Sequence, residues 1–534
     1  MKVYYGDLRM FARYAWGLKD YLGHRLTPDQ CRQMLAHRLE TREESFLRII
    51  ERGVYAYPQS PYRKLLLHAG IEFADVLSMV QQHGVEEALV KLYGAGVYVT
   101  LDEFKGRRPI QRAGLELSVA PKDFDNPLLI KHYEARSSGS RSAGTRVIID
   151  LDLLTHEAAY FHHFLTAFNL GERPIGAWRE VPPVTAGMKL LLRYAKLGKP
   201  VEKWFAQSKL SPELKALKFY LFTKYTIYAS RILGRPLPAP EHVPLEEAYK
   251  VAHWLSVKKK EGTPALLDSQ ASSGVRVCIA AREEGLDISG SFFRFGGEPY
   301  TSAKAEIVAE TGSQAVCNYS MAEIGPIGLA CAAPADLDDV HLLTDKVAVI
   351  QHPKNLGASG LSVQALMYTT VLPSCPKLML NVESDDYGVM EERACGCPIG
   401  ELGFAKHLWQ IRSYEKLTSG GVTFLGTELL RLVDEVLPAR FGGHPTDYQL
   451  VEEEEGGLPK VNVLVSPRVG NVSEKAILDK VFQTLELYPG GDIMADQWRH
   501  GNVLRVVRGE PYSTASAKIL PLHILQKKEV NQDD

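Results

Sequence analysis

Apolar positions change period along this chain, and the changes divide it into elements. Over residues 1 to about 135 they recur at three- and four-residue spacing between turn clusters. The run LTPDQCRQMLAHRLETREESFLRIIERGVYAYP, from Leu26, predicts capped helices that stop at prolines, so the first part of the chain is expected to be a helical lead-in. RVIIDLDLL, Arg146 to Leu154, is rich in branched residues and predicts a strand directly after the Ser- and Gly-rich segment SSGSRSAGT. Between about Gly171 and Glu247 the helical period of SPELKALKFYLFTKYTIYASRIL predicts a helical insertion or cap. From Ser273 the order becomes helix, strand, Gly-rich turn, helix, strand, the signature of α/β architecture with a largely parallel sheet. Strand-like runs follow at KVAVIQH and in MYTTVLPSCPKLMLNVESDDYG. After Arg412 the pattern shifts to helix, strand, Gly-Gly turn, strand, helix, strand, which predicts a small α+β domain over 412–534 behind a large domain over 1–411.

Composition narrows the function classes. At 534 residues the chain is long enough for more than one core. Its 62 Lys plus Arg nearly balance 64 Asp plus Glu, so there is no broad basic field for nucleic acid. No stretch approaches the roughly 20 apolar residues that span a bilayer, and the charged amino terminus does not resemble a signal peptide. Seven cysteines in a chain of this size do not form a secreted disulfide framework. A cytoplasmic protein with reduced thiols or a metal site is the expectation.

Three segments could carry chemistry. In Ser137–Thr145 small residues let backbone amides approach an oxyanion while hydroxyls add hydrogen bonds, although a flexible linker has the same composition. It is not a Walker A loop, because the Gly-Lys-Ser/Thr ending is missing. FGGEPYTS, Phe295 to Ser302, permits a tight turn close to a flat ligand such as an adenine ring. NYSMAEIG, Asn318 to Gly325, sets an aromatic ring four residues before a carboxylate, so that Tyr319 can stack on a base while Glu323 reaches a magnesium ion. Each alone has an ordinary structural explanation. Cys331 and His341, ten apart, and the Cys395-Gly-Cys397 turn form a further constellation that suits tetrahedral zinc, with His407 as a substitute ligand.

Their order along the chain, followed by an acidic pair, an Arg and a C-terminal Lys, resembles the adenylate-forming superfamily, in particular its phenylacetate–CoA ligase branch. The resemblance implies that Ser137, Ser138, Gly139, Ser140 and Thr145 hold the β- and γ-phosphates of ATP. It also implies that Gly297, Glu298 and Pro299 flank the adenine, that Tyr319 stacks on it, and that Glu323 holds Mg2+. Of the pair in ESDDYG it assigns the ribose hydroxyls to Asp385, with Asp386 the neighbouring alternative. It places Arg412 at the start of an inter-domain hinge that includes Lys416, and Lys518 as the catalytic cation of a mobile lid. The chain departs from the pattern at Ser142, Ala143 and Ala322, where Gly, Lys and Thr are usual, and Arg141 or Arg146 could restore the missing charge. The same branch carries a Cys and a His after the Tyr-Glu segment and a Cys-x-Cys downstream, which implies a structural Zn2+ on Cys331, His341, Cys395 and Cys397.

Lys518 suits this chemistry, because attack of a carboxylate on the α-phosphorus builds negative charge that a cation stabilises. The aromatic helix AAYFHHFLTAFN offers Tyr160, Phe161 or Phe164 to an acyl pocket, against the commoner fate of core packing. The expectation is therefore an AMP-forming acid–thiol ligase acting on a small-molecule carboxylic acid, aromatic in the family's precedent, with coenzyme A as acceptor. Adenylation with an amine, a protein thiol or a nitrogen species as acceptor stays open, as does a non-catalytic nucleotide-binding homologue. A homodimer is compatible with the sequence.

Overall fold

The computed structural model describes residues 5–136, 146–184, 186–210, 212, 217–356, 361–413, 418–419, 422–423, 430–455, 458–487, 495, 499, 504–513, 519 and 521–524. The phosphate-loop candidates Ser137, Ser138, Gly139, Ser140, Arg141 and Thr145, the hinge residue Lys416, and Lys518 lie outside the described residues.

A twelve-stranded sheet organises the chain. Across it the strands run Val347–Leu356, Leu361–Thr370, Val382–Glu392, Lys406–Ser413, Val340–Leu342, Gly325–Ala330, Gln314–Met321, Phe292–Gly296, Leu266–Ser269, Ile175–Trp178, Lys203–Ala206 and Pro240–His242. From Pro240–His242 to Gln314–Met321 every neighbour is parallel; from Gln314–Met321 to the other edge every neighbour is antiparallel. The strand that carries Tyr319 is therefore the seam between two kinds of sheet, and its register shifts between Tyr319 and Ser320. Bulges of this kind re-aim side chains beside functional sites.

Inside its edge strand the parallel half is buried on both faces, with Asp268 and Arg294 paired to each other within it. Leu266 and Phe292 pack into a core with Phe161, Phe164 and Leu190 on one side, while Leu267, Phe293 and Phe295 pack with Val251, Leu255 and Val275 on the other. The antiparallel half is covered by the helical lead-in, whose Phe46, Val85, Leu89 and Leu92 share one core with Val347, Leu366 and Leu408. The lead-in thus completes the main core, and Val99 extends it by pairing in parallel with Val382.

Two sequence expectations are corrected. The span 171–247 is not a helical insertion: it does contain the helix Leu217–Ile232, but it also supplies the strands Ile175–Trp178, Lys203–Ala206 and Pro240–His242 to the main sheet. These strands are only 3–4 residues long, too short to impose a visible alternation on the sequence. The strand expected over 146–154 ends at Ile149, because Asp150 caps the helix Leu151–Ala167 by accepting from the Asp152 amide at 2.9 Å.

The tail forms a separate four-stranded sheet in the order Leu504–Arg508, Leu458–Val465, Tyr448–Glu455, Leu522–Ile524, with the helix Glu474–Leu485 sharing its core. It meets the rest of the chain at the buried pair Lys304–Asp434 (3.0 Å), where Thr301 also donates to Asp434. No helix among the described residues is long and apolar enough to cross a membrane.

Candidate functional site

In doubly wound sheets ligands bind beyond the carboxyl ends of the parallel strands, and the described residues place a cleft of about 350 Å³ there. Phe292–Gly296 runs into Gly297, Glu298 and Pro299, and Gln314–Met321 runs into Glu323; all four residues line the cleft with Tyr319. The two antiparallel strands opposite contribute Asp385, Asp386, Arg412 and Ser413, with Asp386 beside Ser413 and Tyr387 beside Arg412 in register. Segments separated by more than a hundred residues of sequence thus converge on one volume, bringing together every described nucleotide-site residue expected from the sequence.

The details redistribute roles. Glu298 is 6% exposed and turns its carboxylate inward, accepting from the Ser272 amide (2.6 Å) and hydroxyl (2.9 Å), so it shapes the Gly297–Pro299 turn and presents backbone to the cleft. The Ser272 hydroxyl also accepts from the amide of Ile519, the residue that follows Lys518 in sequence, at 3.4 Å. Tyr319 donates to Asp386 (2.5 Å) and lies 2.7 Å from the Tyr368 hydroxyl, which fixes its ring at the seam. Burial first and then the Asp386 charge push the Tyr319 phenol well above its ordinary pKa, so it stays a neutral donor. Asp385 accepts from Ser413 at 2.8 Å. Both acids face the site, each with a different partner.

Several cleft residues carry no sequence signal of their own. Asp338 accepts from Arg412 at 2.6 Å and from the amides of Gln410 and Ile411, which clamps the guanidinium at the end of its strand. Lys105 and Arg107 enter from the lead-in, and Lys105 Nζ lies 2.7 Å from Glu323 Oε1. The spacing TLDEFKGRR contains a cue to the turn that carries them: Thr100 and Glu103 form a capping box that starts the short helix Leu101–Phe104, directly before Lys105. Arg146, a candidate to restore phosphate-loop charge, is instead paired with Asp125, which also holds Lys377.

The aromatic helix does not line the cleft. Tyr160, Phe161 and Phe164 are at most 1% exposed: Tyr160 donates to Asp345, and Phe161 packs under the guanidinium of Arg294. Core packing takes this stripe because both flanks of the helix are covered. The same helix instead delivers Glu157 to a buried charge cluster with Lys346 (3.0 Å), Arg193 (3.5 Å) and Lys189 (3.7 Å). Burial alone would raise Glu157, but Lys189, Lys346 and Arg193 together outweigh it and hold the carboxyl down at about 2. Burial lowers Lys189 to about 8 against the pull of Glu157. This cluster backs the Glu323 turn: Gly325 adopts φ +95°, and a Cβ there would sit 2.0 Å from Glu157 Oε1, so only glycine fits.

A second constellation lies away from the cleft. Potential donor atoms of Cys331, His341, Cys395 and His407 lie within 4.8 Å of one another. Cys397 joins them, its Sγ 3.0 Å from His341 Nε2 and 4.0 Å from Cys331 Sγ. The Phe404 carbonyl lies 2.6 Å from His341 Nδ1 and accepts a hydrogen bond from its N–H, which leaves Nε2 to face the sulfur atoms as a ligand nitrogen. His407 Nδ1 pairs with Asp339 at 2.8 Å, while its buried Nε2 has no hydrogen-bond partner among the described residues. The donor set fits a zinc ion in chemistry and spacing. It offers five donors for four positions, and the four named from sequence are all among them.

No family model matches the sequence, and no curated protein matches it. Two solved structures of 2-hydroxyisobutyryl-CoA ligase in the postadenylation state, one in complex with R3-HIB-AMP and one with 2-HIB-AMP, do match the fold. Each aligns with a TM-score of 0.53 at 15% identity, covering 92% of this chain and 90% of that chain. The chain shares the fold of those structures, a large mixed α/β body with a smaller C-terminal part.

Proposed function

We propose that this chain uses ATP to activate a carboxylic acid as an acyl-adenylate and then transfers the acyl group to a thiol, coenzyme A. The observation that carries the reading is the convergence of Gly297–Pro299, Tyr319, Glu323, Asp385 or Asp386, and Arg412 on one cleft at the seam of the sheet. That set matches what an adenosine phosphate requires: a flat turn and an aromatic ring for the base, a carboxylate and a cation for the ribose, and an acid beyond them near the phosphates. The fold it shares with 2-hydroxyisobutyryl-CoA ligase supports the same reading.

In the first half-reaction a carboxylate oxygen attacks the α-phosphorus and pyrophosphate leaves; in the second a thiolate attacks the acyl carbonyl and AMP leaves. Glu323 supplies an oxygen ligand for Mg2+, which would neutralise charge on the phosphates. Ser137, Ser138, Gly139, Ser140 and Thr145 cradle the β- and γ-phosphates, and Lys518 stabilises the charge that builds at the α-phosphorus. Arg412, clamped by Asp338, opens the hinge over which residues 412–534 act as a lid. Cys331, His341, Cys395 and Cys397 hold a structural Zn2+ that ties the loop after Ala330 to the loop before Lys406. The motifs favour the phenylacetate–CoA ligase branch and with it an aromatic acid.

Mass spectrometry of protein incubated with ATP, magnesium and a pool of aryl and alkyl acids, with and without coenzyme A, tests this reading. AMP together with a CoA-dependent thioester, both lost in Lys518→Ala, is the expected result. AMP without a thioester would move the acceptor elsewhere, and no AMP with any acid would remove the proposal.

A further inference from the structure

The cleft is acidic for a site meant to hold a polyanion. Of the carboxylates along it, Glu298 turns inward to Ser272 and Glu383 pairs with His352 and Lys354, which leaves Glu323, Asp338, Asp385 and Asp386 among the described residues against Lys105, Arg107 and Arg412. Arg412 is held by Asp338, and Arg107 reaches back to Asp102 at the rim, 3.1 Å away. Lys105 is the cation that faces Glu323, at 2.7 Å, with its side chain 25% exposed. The Ser137–Thr145 segment contains no lysine.

The lead-in is built to place this side chain. The Val99 amide donates to the Asn381 carbonyl (3.0 Å) and the Glu383 amide to the Val99 carbonyl (2.8 Å), which ties the segment to the strand carrying Asp385. Thr100 caps the turn, Lys105 closes it by donating its amide to Leu101, and the Glu103–Arg112 pair at 2.9 Å braces it. An ammonium at hydrogen-bond distance from a carboxylate oxygen and a divalent cation bound to the same carboxylate repel at such range, which favours the ammonium moving off when the cation binds. The four-carbon stem lets the displaced ammonium swing by a few ångströms without moving the backbone.

We propose that Lys105 is a phosphate-binding residue of this site, which pairs with Glu323 and turns to the nucleotide's β- and γ-phosphates when a divalent cation takes that carboxylate. The inference rests on the adenylation reading and adds to it a cation from the amino-terminal lead-in. Glu323 keeps a positive partner in both states, and the ammonium reaches the phosphates only when nucleotide arrives with its metal.

Equilibrium binding of ATP, pyrophosphate and AMP, each with magnesium, measured by calorimetry on wild type, Lys105→Gln, Lys105→Arg and the exposed-surface control Lys91→Gln, tests it. Losing one charge-assisted phosphate contact weakens binding about 10- to 100-fold. The expected pattern is that loss for ATP and pyrophosphate in Lys105→Gln, AMP within about 2-fold as it makes no such contact, partial recovery in Lys105→Arg, and no change in Lys91→Gln. The ATP loss is also expected to persist when Lys105→Gln is made in a Glu323→Gln background, where a purely structural partner of Glu323 would have nothing left to hold. Equal losses for ATP and AMP, or no added loss in the Glu323→Gln background, would overturn the proposal and leave the adenylation reading intact. Wild-type protein that binds no ATP would remove both.

Discussion

His341 shows how a single side chain is set for its task. Its Nδ1 is taken by the Phe404 carbonyl at 2.6 Å, so the tautomer that presents Nε2 to the sulfur atoms is enforced by backbone. The hydrogen bond between Cys331 and Cys397 drives the first thiol up and the second down. If a zinc ion holds these loops together, metal analysis of purified protein should find about one equivalent, and Cys397→Ser or a strong chelator should lower the melting temperature by several degrees. Protein that purifies without metal and melts unchanged in chelator would contradict the assignment. Residue types at this scale were readable in advance: Tyr319, Glu323 and Arg412, and the Cys and His residues, are distinctive in chemistry and in order. Their partners were not. Asp338 and Lys105 are common surface residues by sequence, and they matter because the fold brings them to 2.6 Å from Arg412 and 2.7 Å from Glu323.

At the scale of elements, the seam between parallel and antiparallel strands makes the site, and the helix Leu151–Ala167 supports it from behind. That helix was legible as an aromatic, helical stripe, but its function was not, because a stripe covered on both flanks looks the same in sequence as one lining a pocket. The short strands inside 171–247 escaped for a related reason: 3–4 residues carry no period, whereas Leu217–Ile232, at 16 residues, does. The buried position of Glu157 lets its contribution be tested. Glu157→Gln leaves Lys189, Lys346 and Arg193 uncompensated and is expected to cost about 3–5 kcal/mol at neutral pH. Its folded pKa of about 2 lies below the ordinary 4.5. Between those values the unfolded chain binds a proton that the folded chain does not. The Glu157 contribution, about 3 kcal/mol on that shift, is therefore complete above pH 4.5 and lost as pH falls towards 2. Denaturant melts of wild type and Glu157→Gln should differ most at pH 7, with the gap narrowing as pH drops below 4.5. A gap that stays constant with pH would place the cost elsewhere.

Across the whole molecule the amino-terminal third and the carboxyl-terminal sheet converge on the same region. The lead-in completes the core of the antiparallel half and sends Lys105 into the cleft. The carboxyl-terminal part touches the back of the Gly297–Pro299 turn through Ile519 and Ser272, and is latched at Lys304 and Asp434. The α/β class and the tail's order of strands and helices were legible in the sequence because long periodic segments and the shift after Arg412 announce them. The lead-in's place in the core was not, since helical periodicity says that a face is buried and not against what. The central claim is that this cleft forms an acyl-adenylate. Acid-dependent exchange of labelled pyrophosphate into ATP measures that step alone, without any acceptor. The account predicts exchange with at least one carboxylic acid that falls by about 100-fold or more in Glu323→Gln and Lys518→Ala, the size of effect that losing one preorganised charge contact has on a transition state. Exchange that is absent with every acid, or unchanged in both variants, would contradict it.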